Sequence, residues 1–495
     1  MLRKIRVILA SFFFILITVL FLDFTGTVHT WFGWMANIQF VPALLALNVG
    51  VVAILILLTL LFGRIYCSVI CPLGIFQDAI SWIASKRKKN RFSYSPALSW
   101  LRYGILILFA ITLILGISSV FTILEPYSAY GRIASNLFAP IYQWGNNLLA
   151  YLAERADSYT FYSIDVWMRS VLTLTISIAT FIILAILAWR NGRTYCNTIC
   201  PVGTVLGFIS RFSFFRPAFI EYKCNGCGLC ARNCKAACID SKEHTIDYSR
   251  CVTCMNCIEK CKSGAIVYAP RKRRSKKEDT TQIAEGNDSS RRNFLSVTTL
   301  VALTSALKVQ EKAVDGGLAV IEDKKIPKRA TPIVPPGSES SRNMERHCTA
   351  CGLCVSVCPN HILRPSSKLA TFMQPEMSFE HGYCRPECTK CSEVCPTAAI
   401  KPITTDEKSS IQIGHAVWIK KNCVVIRDKV RCTNCERHCP TGAIQLIPLS
   451  EDSESLIIPA IDTERCIGCG ACESLCPARP FSAIYVEGHE RHKMI

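Results

Sequence analysis

The chain has 495 residues, is half hydrophobic and carries a formal net charge of +19. That length allows about three or four domains, and that hydrophobicity puts part of the chain in lipid. The charge does not mark a nucleic-acid surface, because the basic residues cluster beside apolar runs: Arg3, Lys4 and Arg6, then KRKKNR (86–91), Arg190 and Arg193, and RKRRSKK (271–277). No hydrolase triad, nucleotide fold or GxGxxG is present.

Four apolar runs, 5–22, 43–62, 101–121 and 168–189, are near the ~20 residues that cross a ~30 Å hydrocarbon core. The first lacks a small-residue cleavage site, so it reads as a span rather than a cleaved signal peptide. With four spans, the positive-inside rule puts every basic cluster in the cytoplasm and the loops 23–42 and 122–167 outside.

Where the second and fourth runs end, the chain repeats itself. GRIYCSVICPLG (63–74) returns as GRTYCNTICPVG (192–203), and the same offset pairs Ile80 with Ile209 and Ser81 with Ser210. This is the mark of a duplicated membrane unit. Two cysteines four apart share one face of a helix, and the proline after them marks a break or a fresh helix start. If the halves are related by pseudo-symmetry, Cys67, Cys71, Cys196 and Cys200 converge and suffice for one further iron–sulfur cluster. The alternatives are a redox dithiol, a transient metal site or plain helix packing; a disulfide is disfavoured in a reducing compartment.

Residues 224–261 read C-x2-C-x2-C-x3-C twice, the spacing whose fourth cysteine serves the other cluster. Cys224, Cys227, Cys230 and Cys261 are therefore expected to hold one 4Fe–4S cluster, and Cys251, Cys254, Cys257 and Cys234 a second. A tight loop reaches three irons of a cube, and the partner motif supplies the fourth thiolate. Lys235 and Lys262 stand where proline is usual, and positive charge there is expected to raise the cluster potentials. Cys238 is left over and competes with Cys234.

Four more quartets follow: Cys348, Cys351, Cys354 and Cys358; Cys384, Cys388, Cys391 and Cys395; Cys423, Cys432, Cys435 and Cys439; and Cys466, Cys469, Cys472 and Cys476. All 29 cysteines except Cys238 are then assigned. Zinc sites usually pair separated C-x2-C units, and disulfide frameworks lack this triplet-plus-one recurrence. The standard motifs lie at the ends and the stretched ones between. That suggests nested pairing, first with fourth and second with third, with sequential pairing as the rival.

Between the cysteine-rich parts, 270–347 is a charged, proline-bearing linker. It contains SSRRNFLSVTTLVALTSALK (289–308). Twin arginines (Arg291, Arg292) before a short apolar run resemble a twin-arginine export signal, a route that accepts folded, cluster-loaded cargo. The rival is a basic linker that stays inside. No clear A-x-A follows, so the segment is expected to remain as a fifth anchor.

Residues 1–270, with their spans, two C-x3-CP motifs, double-cluster motif and NIQFVPALLAL (37–47), resemble the NapH-type membrane ferredoxins and, more distantly, the NosR and CcoG/RdxA-type proteins. Residues 291–495, with the twin-arginine leader, IVPPGS (333–338) and four motifs, resemble the NapG/MauM-type ferredoxins. The resemblance implies an α-helical membrane domain plus α+β bacterial-ferredoxin-like domains, one double-cluster and one four-cluster. The domains would be 1–215, four spans in the bacterial inner membrane; 216–270, a cytoplasmic double-cluster domain; 271–345, the linker; and 346–495, a four-cluster periplasmic domain. It implies the quinol dehydrogenase-type component of an anaerobic respiratory system, passing electrons from the quinone pool through about six 4Fe–4S clusters to a periplasmic reductase or carrier protein.

A ~30 Å apolar layer between the two ferredoxin parts requires an intermediate carrier, either the quinone or a cluster at the C-x3-CP motifs. His29, Trp31, Gln39, Glu125 and Tyr127 are candidates for a quinol pocket, although each taken singly reads first as an interfacial anchor or loop residue. Two other functions compete: a cofactor or metal-centre assembly factor, and a redox-sensing regulator.

Overall fold

The computed structural model describes residues 2–23, 25–87, 92–115, 118–158, 160–164, 166, 170–271, 322–449 and 456–495. The twin-arginine segment lies outside them. Residues 1–271 and 325–495 form one compact unit.

Helix α1 (Leu2–Leu22) is apolar on nearly all sides. It buries Ile17, Leu20 and Phe21 and leaves Ile8, Phe12 and Ile15 exposed. Helix α2 (Val49–Phe62) is capped by Asn48, whose side chain accepts from the Val51 amide. A short helix α3 (Tyr66–Val69) leads into α4 (Pro72–Arg87), and α5 is Ser99–Leu115. Helix α6 (Pro126–Ile133) precedes α7 (Val171–Asn191), and a second short helix, α8 (Thr194–Thr198), leads into α9 (Pro201–Ser210). The order long helix, short helix, proline-started helix thus occurs twice, as the repeat implies.

Among the described residues, two helices, α1 and α7, are long and apolar enough to cross a membrane. The expected span 43–62 is instead two helices, Phe40–Leu45 and α2, because the backbone turns at Leu47 (φ 53°). Within the run 101–121 the described residues are helical over α5 and again over Ser118–Leu124.

The two cysteine-rich parts are built from short strand pairs and single-turn helices. Phe215–Phe219 pairs antiparallel with Ile266–Pro270, and Ile239–Asp240 with Thr245–Ile246. In the C-terminal part, Leu363–Pro365 pairs with Pro375–Met377, Ile444–Pro448 with Ile457–Ile461, and Ile411–Trp418 with the long C-terminal strand Ile484–Met494. Such small elements bury little apolar area, and cysteines make up much of their core.

The two ends of α1 touch different cysteine-rich parts. Near its start Arg3 pairs with Glu259. Just beyond its end the Thr25 carbonyl accepts from Lys390 Nζ at 3.0 Å. A 21-residue helix is about 32 Å long, so the helical part separates the two.

Candidate iron–sulfur sites

The repeated motif is explained residue by residue. Its first glycines, Gly63 (φ +75°) and Gly192 (φ +72°), end α2 and α7 in a left-handed conformation that other residues rarely adopt. The arginines after them are fully buried and cross between the halves. Arg64 donates from Nη2 to the Cys196 carbonyl at 3.0 Å and lies 3.9 Å from Cys67 Sγ. Arg193 donates from Nη1 to the Cys67 carbonyl at 2.7 Å and lies 3.8 Å from Cys196 Sγ.

The tyrosines fix the outer side. Tyr66 donates to Gln39 Oε1 at 3.0 Å, and Tyr195 donates to the Leu124 carbonyl at 3.4 Å. Pro72 and Pro201 each begin a new helix. The cysteine pairs therefore do not share one continuous helical face, as the spacing had suggested. The first cysteine sits in the short helix and the second at the break. Cys200 is the N-cap of α9, its sulfur accepting from the Gly203 amide at 3.3 Å.

The last glycines of the motif leave no room for a side chain. A Cβ on Gly74 would stand 2.3 Å from the Cys67 carbonyl oxygen and 2.7 Å from Arg193 Nη1. On Gly203 it would stand 2.2 Å from the Cys196 carbonyl oxygen and 2.8 Å from Arg64 Nη2. The halves are interlocked about one centre. Cys67, Cys71, Cys196 and Cys200 are each only 4–5 % exposed. Cys200 is electrostatically coupled to the other three, and Gln77 Nε2 donates to Cys196 Sγ at 3.2 Å.

A buried ion network joins this centre to the first cysteine-rich part. Asp78 accepts from Arg6 at 2.9 Å and from Arg193 Nε at 2.8 Å, and Lys235 Nζ lies 3.4 Å away. Lys235 thus stands where proline is usual because it docks one part on the other. The sequence had suggested only an effect on potential. The Lys235 carbonyl also accepts from the Arg193 amide at 2.9 Å, and Asn197 donates to the Ala236 carbonyl at 3.2 Å.

On that side, Cys234, Cys251, Cys254 and Cys257 line a cavity with an empty volume of about 360 Å³, together with Cys238. Cys238 occupies the place held by Ala265, Ala399 and Ala443 after Cys261, Cys395 and Cys439, three of the five other fourth cysteines. Its sulfur lies 3.5 Å from Cys234, and this hydrogen bond pulls the Cys234 thiol down. Either sulfur can donate at that distance, and both Cys234 and Cys238 line the cavity. Cys230 is coupled to Cys224 and Cys227, while Cys261 ends the helix Asn256–Lys260 and contacts Ser263 Oγ at 3.4 Å.

In the C-terminal part the thiols group sequentially. Burial, then Cys348, Cys351 and Cys395, push the Cys354 thiol up. Cys358, Cys384, Cys388 and Cys391 line a cavity of about 400 Å³. Cys423, Cys432, Cys435 and Cys476 line another of about 370 Å³. Burial pushes Cys469 up to about 12, and its neighbours Cys466 and Cys439 add to the shift. The nested pairing is corrected: the first motif exchanges its fourth cysteine with the second, and the third with the fourth. The short returns through Leu363–Pro365 and Ile444–Pro448 bring adjacent motifs together, which spacing alone did not reveal.

Three pockets, each walled by four or five thiols, repeat the same lining. No three His, Cys, Asp or Glu side chains among the described residues are gathered closely enough for a single metal ion. The thiols that wall the pockets belong to motifs with iron–sulfur spacing, so these residues would hold 4Fe–4S clusters.

Of the quinol candidates, Glu125 caps α6 by accepting from the Tyr127 and Ser128 amides. His29 Nε2 lies 3.0 Å from the Leu20 carbonyl, and Trp31 is exposed.

Comparison with known proteins agrees with this distribution. A family described as a 4Fe-4S binding domain matches residues 44–91 and again 173–219, the two halves of the repeat. A 4Fe-4S dicluster domain matches 347–399 and 430–479, each match holding one adjacent pair of motifs, and a further 4Fe-4S binding domain matches 244–267. No solved structure matches the chain.

An uncharacterized protein of Methanocaldococcus jannaschii is 37% identical over 84 residues, 17% of this chain and 33% of that protein. The ferredoxin-type protein NapF of Escherichia coli is 28% identical over 165 residues, 33% of this chain and 90% of NapF. The methylamine utilization ferredoxin-type protein MauM of Methylobacillus flagellatus is 34% identical over 169 residues, 32% of this chain and 70% of MauM. The chain is an iron–sulfur electron-transfer protein of the ferredoxin type, and through that third of its length it belongs to the family of MauM.

Proposed function

We propose that the chain is a membrane-bound relay that takes electrons from a quinol and delivers them through a series of 4Fe–4S clusters to a periplasmic reductase or carrier protein. Residues 1–215 lie in the bacterial inner membrane in this reading. Residues 216–270 face the cytoplasm, and 346–495 are carried to the periplasm by the twin-arginine segment.

One observation carries the reading. The buried quartet Cys67, Cys71, Cys196 and Cys200 is hydrogen-bonded through its neighbours to the first cysteine-rich part and faces the helix that packs on the second. Toward the first run Arg64, Arg193, Asp78 and Lys235. Toward the second, Tyr195 is coupled to Cys200, Glu125 and Arg132, and α6 packs against the Cys351 loop. A cluster there would serve as a carrier between the two parts.

When bound, the clusters supply one-electron carriers. The chain's own residues exclude water from the thiols, set their spacing and surround them with buried guanidinium groups. The exposed apolar faces of α1 and α7 support a lipid setting, since such surface in water marks an interface.

The test is anaerobic mixing of the purified full-length protein with a short-chain quinol, followed at visible wavelengths. Bleaching of clusters at quinol-dependent rates is expected. Full cluster content with no bleaching by any quinol would leave an electron-transfer protein fed by another donor.

A further inference from the structure

The quartet Cys348, Cys351, Cys354 and Cys395 is covered by α6 of the helical part. Gly131 of α6 has no room for a side chain: a Cβ there would stand 2.5 Å from the Cys351 carbonyl oxygen and 2.8 Å from the Phe21 ring. A Cβ on Gly352, one residue past Cys351, would stand 3.4 Å from Ser135 Oγ. The helix backbone therefore lies directly on the cysteine loop.

Besides the Ser128 hydroxyl, two large polar side chains of this helix are buried there without a hydrogen-bond partner among the described residues. Arg132 is 3 % exposed, and its Nε, Nη1 and Nη2 have no hydrogen-bond partner among the described residues. Tyr127 is 1 % exposed, and its hydroxyl has none either. A buried guanidinium left without an acceptor is costly, so an acceptor belongs in this space. Glu125 is the strongest attractive charge on Arg132, yet no hydrogen bond joins the two, and the guanidinium nitrogens stay without an acceptor.

We propose that Arg132 and Tyr127 donate to the sulfurs of the cluster held by Cys348, Cys351, Cys354 and Cys395, and so make that cluster the electron acceptor nearest the helical part. Arg132 feels Glu125 first, then Tyr195 and Cys351, and Tyr127 feels Cys351, Glu125 and Cys395, so both side chains stand within electrostatic reach of this quartet. Four thiolates and a reduced cluster carry more negative charge than the oxidised form. A desolvated guanidinium therefore favours reduction, and hydrogen bonds to the sulfurs act in the same direction. Both are positioning residues supplied by one domain to a cluster bound in another, so this site is complete only when the two are docked.

The inference rests on reading the quartet as a cluster site. An iron count on the unmutated protein that left no cluster for this quartet would defeat that reading by itself. The experiment is an EPR-monitored redox titration of the full-length protein. The midpoint belonging to this quartet is first identified as the one lost in Cys351→Ser. Arg132→Gln should move that midpoint to lower potential with the others unchanged, Arg132→Lys should restore part of the shift, and Tyr127→Phe should give a smaller downward shift. If Arg132→Gln loses the cluster altogether, the Lys and Phe variants decide the matter. An unmoved midpoint in Tyr127→Phe and in each loaded Arg132 variant would overturn the proposal, as would equal shifts in every cluster.

Discussion

Arg193 donates to the main-chain carbonyl of Cys67, 126 residues earlier in the chain, across 2.7 Å. Arg64 returns the bond to Cys196 at 3.0 Å. This reciprocal pair makes two copies of a twelve-residue motif into one structure, and each copy needs the other to be satisfied.

The motif glycines test the interlock. Gly74→Ala or Gly203→Ala forces a methyl group into contacts of 2.2–2.8 Å with a cysteine carbonyl and an arginine. Each should destabilise the helical part by about 1–3 kcal/mol. Gly104→Ala and Gly145→Ala, where nothing lies within 4 Å, should be neutral or slightly stabilising. Anaerobic thermal unfolding compares the four, and equal behaviour would mean that the motif glycines are not close-packed.

Asp78 holds Arg6, Arg193 and Lys235 in one buried network. Asp78→Asn leaves three cations without their counter-charge and should cost about 3–5 kcal/mol. It should also loosen the first cysteine-rich part. Limited proteolysis between residues 211 and 224 reads this directly: faster cleavage is expected, and an unchanged rate would separate Asp78 from docking.

Much of this was legible in the sequence, and for physical reasons. Iron–sulfur spacing is short-range, so all six ferredoxin-type motifs could be read without a fold. The duplication raised convergence of Cys67, Cys71, Cys196 and Cys200 as the consequence of a pseudo-symmetric pairing of the halves. Nothing in the spacing showed that the arginines cross between halves, since that contact is long-range. The helix breaks at Leu47 and around Pro72 depend on packing, which apolar runs do not encode. Lys235 is a docking residue only because Asp78 lies opposite it.

Cluster pairing is open to a count of iron. Because Cys395 completes the quartet of Cys348, Cys351 and Cys354, Cys348→Ser combined with Cys395→Ser should lose no more iron than either alone. Cys348→Ser combined with Cys476→Ser should lose about twice as much, because two quartets are broken. Nested exchange predicts the reverse.

Topology follows from the twin-arginine reading. Reporter fusions after residue 270 should read cytoplasmic and those after residue 345 periplasmic, and replacing Arg291 and Arg292 with lysine should abolish export of the latter. Two cytoplasmic readings in the unmutated chain would place both cysteine-rich parts on one side and remove the reason for a relay through the membrane.

The central claim is that the four buried thiols of the repeat hold one cluster of their own. Its most direct test is anaerobic iron content of the full-length protein beside a variant with Cys67, Cys71, Cys196 and Cys200 all changed to serine. The account predicts about 28 irons in the first and about 24 in the second, at four per cluster, with the ferredoxin-type EPR signals retained. Each single variant should lose the same four as the quadruple. Equal iron in the two proteins, with quinol-linked reduction intact, would contradict it and leave the repeat a structural joint.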